Sequence, residues 1–127
     1  MDEGMILWFF RERPEVLPWY RALESRILAD IPDVTVKVQK TQIAFANKRQ
    51  FAFVSFLPVR RAKERPATFL TVTFGLAYRK ASPRIDAATE PYPNRWTHHV
   101  LVGSMDEIDD ELMSWIREAS EFSARKR

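Results

Sequence analysis

The sequence predicts an α+β domain in which an antiparallel sheet of about five strands is flanked by N-terminal and C-terminal helices. Two runs rich in Phe, Val and Thr, residues 50–59 and 67–77, predict the strands of a β-hairpin, and Pro58 and Pro66 mark its connection. Apolar residues recur at helical spacing on both sides of this strand-rich region. Because the connections are short, neighbouring strands should pair antiparallel.

Composition limits the class of protein. The chain has 127 residues, with no cysteine and three glycines. That length fits a single domain over residues 1–127. The absence of cysteine excludes disulfides, thiolate nucleophiles and Cys-ligated zinc, and the scarcity of glycine argues against a Gly-rich phosphate loop.

The apolar run near the N-terminus, residues 5–10, is too short for a signal-peptide core or a membrane span. We expect its large side chains to pack on the body of the domain: Ile6, Trp8, Phe9 and Phe10. No membrane partner is predicted, and the expected location is cytoplasmic.

The first long helix is predicted over residues 15–29. Pro14 and Pro18 suit its start, because proline fixes φ and the first turn needs no N–H donor. An apolar stripe at three- and four-residue steps follows, formed by Leu17, Tyr20, Leu23, Ile27 and Leu28. The helix should end before Pro32.

The remaining strands are indicated by alternation. Valines alternate with polar residues over 34–39, which is the period of a half-buried strand. Residues 42–46 predict another strand with Ile43 and Phe45 on one face, and residues 47–49 a polar turn into the hairpin. A fifth strand is predicted over 96–103, after the proline-rich stretch 83–93.

The C-terminal helix has a clear start signal. Ser104 followed by Glu107 fits a capping box, and acidic residues crowd the first turns, where the helix dipole favours negative charge. Capping and dipole effects therefore explain the acidic cluster without a metal site. The apolar face should contain Ile108, Leu112, Ile116 and Ala119, with Trp115 nearby.

The two faces of the sheet should differ. The helices should pack on the more aliphatic face of the sheet, and Leu70, Val72 and Phe74 are the candidate residues of that face. The alternating neighbours include Thr71 and Thr73, so the second face is mixed and suits solvent, a ligand or a partner.

No motif of known chemistry is present. His98 and His99 are adjacent, and on a strand they point to opposite faces, so they cannot readily chelate one metal. No catalytic residue, metal site or cofactor is predicted. An enzyme whose carboxylates converge only in the fold remains an alternative, with Asp86 and Glu90 as the candidates that are not simply helix or turn residues.

Basic residues suggest a second alternative. The net charge is +3, and the hairpin connection contains Arg60, Arg61, Lys63 and Arg65. These residues would form the surface of a nucleic-acid-binding module. Glu64 interrupts the run and no aromatic residues are interleaved with it, so this reading is less favoured.

Five segments resemble a group of small, uncharacterised bacterial domains similar to the YdhG-like family. The segments are residues 20–23 (YRAL), 38–45 (VQKTQIAF), 49–52 (RQFA), 96–100 (WTHHV) and 104–109 (SMDEID). The resemblance extends over residues 9–122. It implies a compact α+β domain and no established activity. Transferred to this sequence, it implies four candidate pocket residues: Lys40, Phe51, Thr97 and His98.

The favoured function is non-enzymatic binding of a small or anionic ligand, or of a protein partner, on the mixed face of the sheet. Lys40 and Arg84 would supply positive charge, Thr97 and His98 hydrogen bonds, and Phe51 and Trp96 apolar walls. A homodimer is compatible with this prediction.

Overall fold

The computed structural model describes residues 3–125. Within that range the helices are α1 (Glu3–Phe9), α2 (Leu17–Asp30) and α3 (Asp110–Arg125). The strands are β1 (Thr35–Val38), β2 (Gln42–Ala46), β3 (Gln50–Ser55), β4 (Leu70–Leu76), β5 (Ala87–Tyr92) and β6 (Arg95–Val102). Short 3₁₀ turns occupy Pro14–Val16, Ala62–Glu64 and Met105–Glu107. This arrangement confirms the predicted α+β fold.

The strands form one antiparallel sheet in the order β1-β2-β3-β4-β6-β5. The predicted hairpin is confirmed, since β3 and β4 pair from Ala52 with Phe74 to Ser55 with Thr71. Both strands are shorter than predicted. The long connection holds two prolines, which have no N–H to contribute to the ladder.

The predicted count of five strands is wrong by one, because β5 lies in the stretch predicted to be a proline-rich connection. It is an edge strand that pairs only with β6. Its sequence contains two alanines and Pro91, so it lacks the β-branched composition of the other strands. An edge position tolerates proline, because one side of the backbone has no ladder partner. Asn94, at a φ of 63°, forms the tight turn into β6.

One face of the sheet is covered by the helices. Ile43, Val54, Val72 and Val100 form a row across four strands, and each is at most 1% exposed. Phe10, just after α1, and residues of the helices also belong to this core: Ile6, Phe9, Tyr20, Leu23, Ile27, Leu112, Trp115 and Ile116. The prediction that the hairpin turns Leu70, Val72 and Phe74 towards the helices is confirmed by their membership of the core.

The other side of the sheet, which we call the open face, is more polar. Its central row, read from β1 to β6, is Lys37, Ala44, Phe53, Thr73 and His99. In the next row Gly75 pairs with Thr97. Oγ1 of Thr73 lies 2.8 Å from Nδ1 of His99, and this hydrogen bond orients the imidazole. The predicted mixed face is therefore present.

The start of α3 differs from the prediction. Ser104 makes no side-chain capping bond, and Oε1 of Glu107 accepts a hydrogen bond from the N–H of Gly103. The capping residue is Asp109, whose Oδ1 accepts the N–H of Leu112 at 3.0 Å. A carboxylate at this position satisfies one of the N–H groups that the first helical turn leaves unpaired.

The N-terminal part departs from prediction in three respects: α2 begins at Leu17 rather than at residue 15, Leu28 of the predicted apolar stripe is 39% exposed, and Trp8 is exposed. Pro14 begins a 3₁₀ turn and Pro18 lies in the first turn of α2. The apolar run forms α1 and its end, where Phe9 and Phe10 are buried. Trp8 is 46% exposed, contrary to the expectation that it packs on the body. No helix among residues 3–125 is both long enough and apolar enough to cross a membrane.

Candidate functional site

A cleft of about 530 Å³ lies at the end of the sheet where the β1–β2 turn meets the N-terminal segment. Three stretches that are distant in sequence form it, residues 8–13, 40–42 and 55–57. They meet because Phe9 and Phe10 pack against Phe56 just beyond the end of β3. The cleft has the size of small-molecule sites, which are typically about 300–1,000 Å³.

Apolar side chains form much of the cleft wall. The rings of Phe9 and Phe56 are stacked with centroids 5.4 Å apart. Trp8 and Leu57 are 46% and 48% exposed, although large apolar side chains are normally buried. The cleft therefore exposes a tryptophan and a leucine on a stacked aromatic base.

The charged residues of the cleft are mainly cationic. The guanidinium of Arg11 lies 4.2 Å from the ring centre of Trp8, and that of Arg13 lies 4.4 Å from the ring centre of Phe56. Lys40 also lines the cleft and has no ion pair or side-chain hydrogen bond with any residue of 3–125. Among the described residues that line the cleft, one is acidic: Glu12, whose carboxylate lies 3.9 Å from Arg11. Three cations thus face one anion.

The six residues predicted for the ligand site do not come together. Lys40 lines the cleft, whereas Phe51 is 1% exposed in the hydrophobic core. Trp96 and His98 pair with Leu76 and Phe74, which places them on the helix-covered side of the sheet. The remaining two residues are elsewhere: Thr97 on the open face and Arg84 beside α3.

His98 has a defined place in the interior. It is fully buried and stacks on Phe74 with ring centroids 5.0 Å apart. Its Nε2 accepts the backbone N–H of Lys80 at 2.9 Å, while Nδ1 has no hydrogen-bond partner within residues 3–125. Burial lowers the pKa of His98 below its usual value near 6.5. The imidazole is therefore a neutral acceptor that fixes the β4–β5 connection.

Arg84 fixes the start of α3. Its Nη1 donates to Asp109 and to Glu111 at 2.9 Å, and its Nη2 donates to the carbonyl of Glu107 at 2.8 Å. Burial acts to raise the pKa of Asp109, but the hydrogen bonds from Arg84 outweigh it, so that pKa is lowered. The carboxylates of Asp109 and Glu111 thus both accept hydrogen bonds from Arg84. No group of three or more His, Asp or Glu side chains in the described part of the chain could hold a metal ion.

The basic hairpin connection is partly neutralised. Nε of Arg60 lies 2.7 Å from Asp86, and Nη2 of Arg61 lies 2.9 Å from Glu64. Arg65 lies over Phe69 at 6.0 Å. Lys63 is exposed in the 3₁₀ turn between Arg61 and Arg65. Half of this cluster is therefore already engaged by carboxylates.

Sequence reasoning assigned only Lys40 to the site and missed the other residues that line the cleft, including Trp8, Arg11, Arg13, Phe56 and Leu57. A signal was present in Arg11, which follows Trp8 by three residues, because a guanidinium close to a tryptophan ring can form a cation–π pair. The contribution of residues 55–57 could not be read in the same way, because it depends on how the strands end.

Comparison with known proteins identifies the family of this chain. No curated protein and no solved structure matches the chain. One family model, described as Domain of unknown function (DUF5655), matches residues 8–123, which is most of the chain. This match includes the cleft, the whole sheet and nearly all of α3. The chain therefore belongs to the DUF5655 family.

Proposed function

We propose that this protein binds a small organic anion with an aromatic or apolar body in the cleft that contains Lys40. The observation that supports this most is a lysine with no ion pair or side-chain hydrogen bond within residues 3–125, in one cleft with an exposed tryptophan and leucine. Lys40 supplies a charge for a carboxylate, sulfonate or phosphate group. Trp8 and Leu57 supply apolar contact area for the rest of the ligand.

The ring-stacked arginines favour the same class of ligand. A guanidinium on an aromatic face is partly desolvated and held in place, yet it keeps N–H donors for an anion. Arg13 is in this state above Phe56. The cleft is thus prepared for negative charge before a ligand arrives, which reduces the entropy lost on binding.

Other readings have less support. Binding of nucleic acid by the hairpin connection would require release of Arg60 and Arg61 from their carboxylates. A cytoplasmic location, a bacterial source and a likeness to YdhG-like domains remain predictions from sequence. Lys40 is the residue that the sequence prediction and this proposal share.

The probe for this proposal is 8-anilinonaphthalene-1-sulfonate, an aromatic sulfonate that fluoresces in apolar surroundings. We expect saturable binding that is about threefold to tenfold weaker in Lys40→Gln, since loss of one partly exposed charge contact costs on the order of 1 kcal/mol. Lys37→Gln is the matched control, because Lys37 is an exposed lysine of β1 that does not line the cleft.

A second pair of variants tests the apolar wall. Trp8→Ala should weaken binding, whereas Leu7→Ala should leave it unchanged, because Leu7 is 50% exposed on α1 but lies outside the cleft. Equal affinities for Lys40→Gln and Lys37→Gln, together with unchanged binding in Trp8→Ala, would exclude the cleft as the site.

A further inference from the structure

A central strand contains a glycine that its backbone does not require. Gly75 lies in β4, between β3 and β6, and no described glycine has a positive φ. Glycine inside a strand weakens it, and it commonly marks a place where another group approaches the backbone closely. At Gly75 the approaching group is a side chain.

That side chain is the guanidinium of Arg95. A Cβ on residue 75 would lie 3.0 Å from Cζ and Nη2 of Arg95. Residue 95 is two positions before Thr97, the direct partner of Gly75, so the contact is a diagonal cross-strand contact on one face. Since Gly75 and Thr97 belong to the open face, the guanidinium of Arg95 lies flat on that face.

Arg95 has no counter-ion in the described part of the chain. Seven other arginines of residues 3–125 form ion pairs: Arg11, Arg21, Arg26, Arg60, Arg61, Arg84 and Arg117. Arg95 forms none with any residue of 3–125 and no side-chain hydrogen bond, although it is half-buried. A fixed guanidinium offers N–H donors in a planar fork that matches an oxyanion.

The neighbours of Arg95 can also bind an oxyanion. Thr97 stands beside Gly75, with Thr89 opposite it on β5. In the adjacent row the hydroxyl of Thr73 holds the ring of His99. Hydroxyl and imidazole groups hydrogen-bond to oxyanions, and none of these residues would repel a negative charge.

We propose that Arg95, seated on Gly75 and assisted by Thr97, forms an oxyanion-binding site on the open face for a phosphate or carboxylate group. The site is separate from the cleft. Ser55, which lines the cleft, pairs with Thr71, and Thr71 is four residues along β4 from Gly75, roughly 13 Å at the rise of a strand. Neither site depends on the other.

The test is an NMR titration of the full chain with inorganic phosphate, at constant ionic strength maintained with sodium chloride. The Nε–H signal of Arg95 and the amide signals of Gly75 and Thr97 should shift saturably. A parallel titration with acetate distinguishes the sources: tighter phosphate binding indicates a phosphoryl ligand, and equal or tighter acetate binding indicates a carboxylate ligand.

Gly75→Ala is the sharpest variant. The added Cβ displaces only the flexible end of Arg95, so folding should be retained. Phosphate binding should weaken about tenfold, because the displaced guanidinium can no longer donate two N–H groups to one phosphate. Arg95→Gln should have the same effect on binding without changing the strand. Arg79→Gln is the control, because Arg79 lies over Trp96 on the other side of the sheet.

Two results would overturn the proposal. One is an absence of shifts at Gly75 and Thr97 beyond those caused by chloride alone. The other is binding in Arg95→Gln that equals binding in Arg79→Gln, because the guanidinium on Gly75 would then contribute nothing. If Gly75→Ala does not fold, the arginine pair decides the question.

Discussion

Asp109 joins two parts of the molecule through one carboxylate. It caps α3 through the N–H of Leu112, and it receives the guanidinium of Arg84 from the β4–β5 connection. The cap bond is local, whereas the ion pair spans 25 residues of sequence. Ser104, which has the better sequence signal for a cap, does neither.

Asp109→Ala should lower the free energy of unfolding by about 1–2 kcal/mol, because it removes the cap together with the partner of Arg84. Asp109→Asn keeps a good capping side chain, so it should cost less. Ser104→Ala is the control and should change stability by no more than about 0.5 kcal/mol. Chemical denaturation measures all three, and a loss in Ser104→Ala as large as that in Asp109→Ala would contradict this assignment of the cap.

The two histidines should make stability depend on pH. Burial lowers the pKa of both His98 and His99, so the unfolded chain takes up protons that the folded chain excludes. Their contribution is complete above the usual pKa near 6.5 and is lost as pH falls below it. For His98, protonation would also destroy the acceptor of the Lys80 N–H.

We therefore expect the free energy of unfolding to fall between pH 6.5 and 5.5, by up to about 1.4 kcal/mol per pH unit for each histidine. His98→Gln and His99→Gln should each reduce this slope. Denaturant unfolding at several pH values measures it. Stability that is unchanged or increases over this interval in the native sequence would show that the histidines do not resist protonation.

At the scale of elements, the predictability of each segment depends on how strongly one face of it is buried. β2 was predicted with its observed bounds, because Ile43 and Phe45 are buried on one face. β5 has no buried residue, and its pairing depends only on backbone hydrogen bonds to β6. No apolar pattern in the sequence therefore marks β5, and the turn at Asn94 was the remaining sequence signal for this strand.

The same reasoning applies to the site. Lys40 could be proposed from sequence, but its neighbours Trp8 and Leu57 come from two other segments. Their proximity follows from the packing of α1 against the end of β3, which no local pattern encodes. The error for Trp96 and His98 was different: they were predicted to lie on the mixed face, but they lie on the face that the helices cover.

The packing of α3 provides a test at this scale. Ile116 is fully buried in the core, so Ile116→Ala should lower the free energy of unfolding by about 2–5 kcal/mol through lost burial and a residual cavity. Ser114→Ala on the exposed face of the same helix should change it by no more than about 0.5 kcal/mol. An unchanged denaturation midpoint and slope for Ile116→Ala would contradict the position of α3.

At the scale of the whole molecule, charge is distributed unevenly over a sheet that is covered on one side. The net charge is +3, and many arginines are already neutralised by carboxylates. Lys40 and Arg95, which have no carboxylate partner within residues 3–125, lie towards opposite ends of the sheet. Lys40 lies beside the apolar walls of the cleft, and Arg95 lies among the hydroxyl groups of the open face. The molecule thus presents two different environments for an anion.

The most direct test of the central claim is a map of amide chemical-shift changes as 8-anilinonaphthalene-1-sulfonate is added to the full chain. The cleft predicts saturable shifts concentrated at residues 8–13, 40–42 and 55–57. In Lys40→Gln the same residues should respond at higher probe concentrations. Shifts concentrated at residues 60–65, or spread over the surface without saturation, would contradict the assignment of the cleft as the binding site.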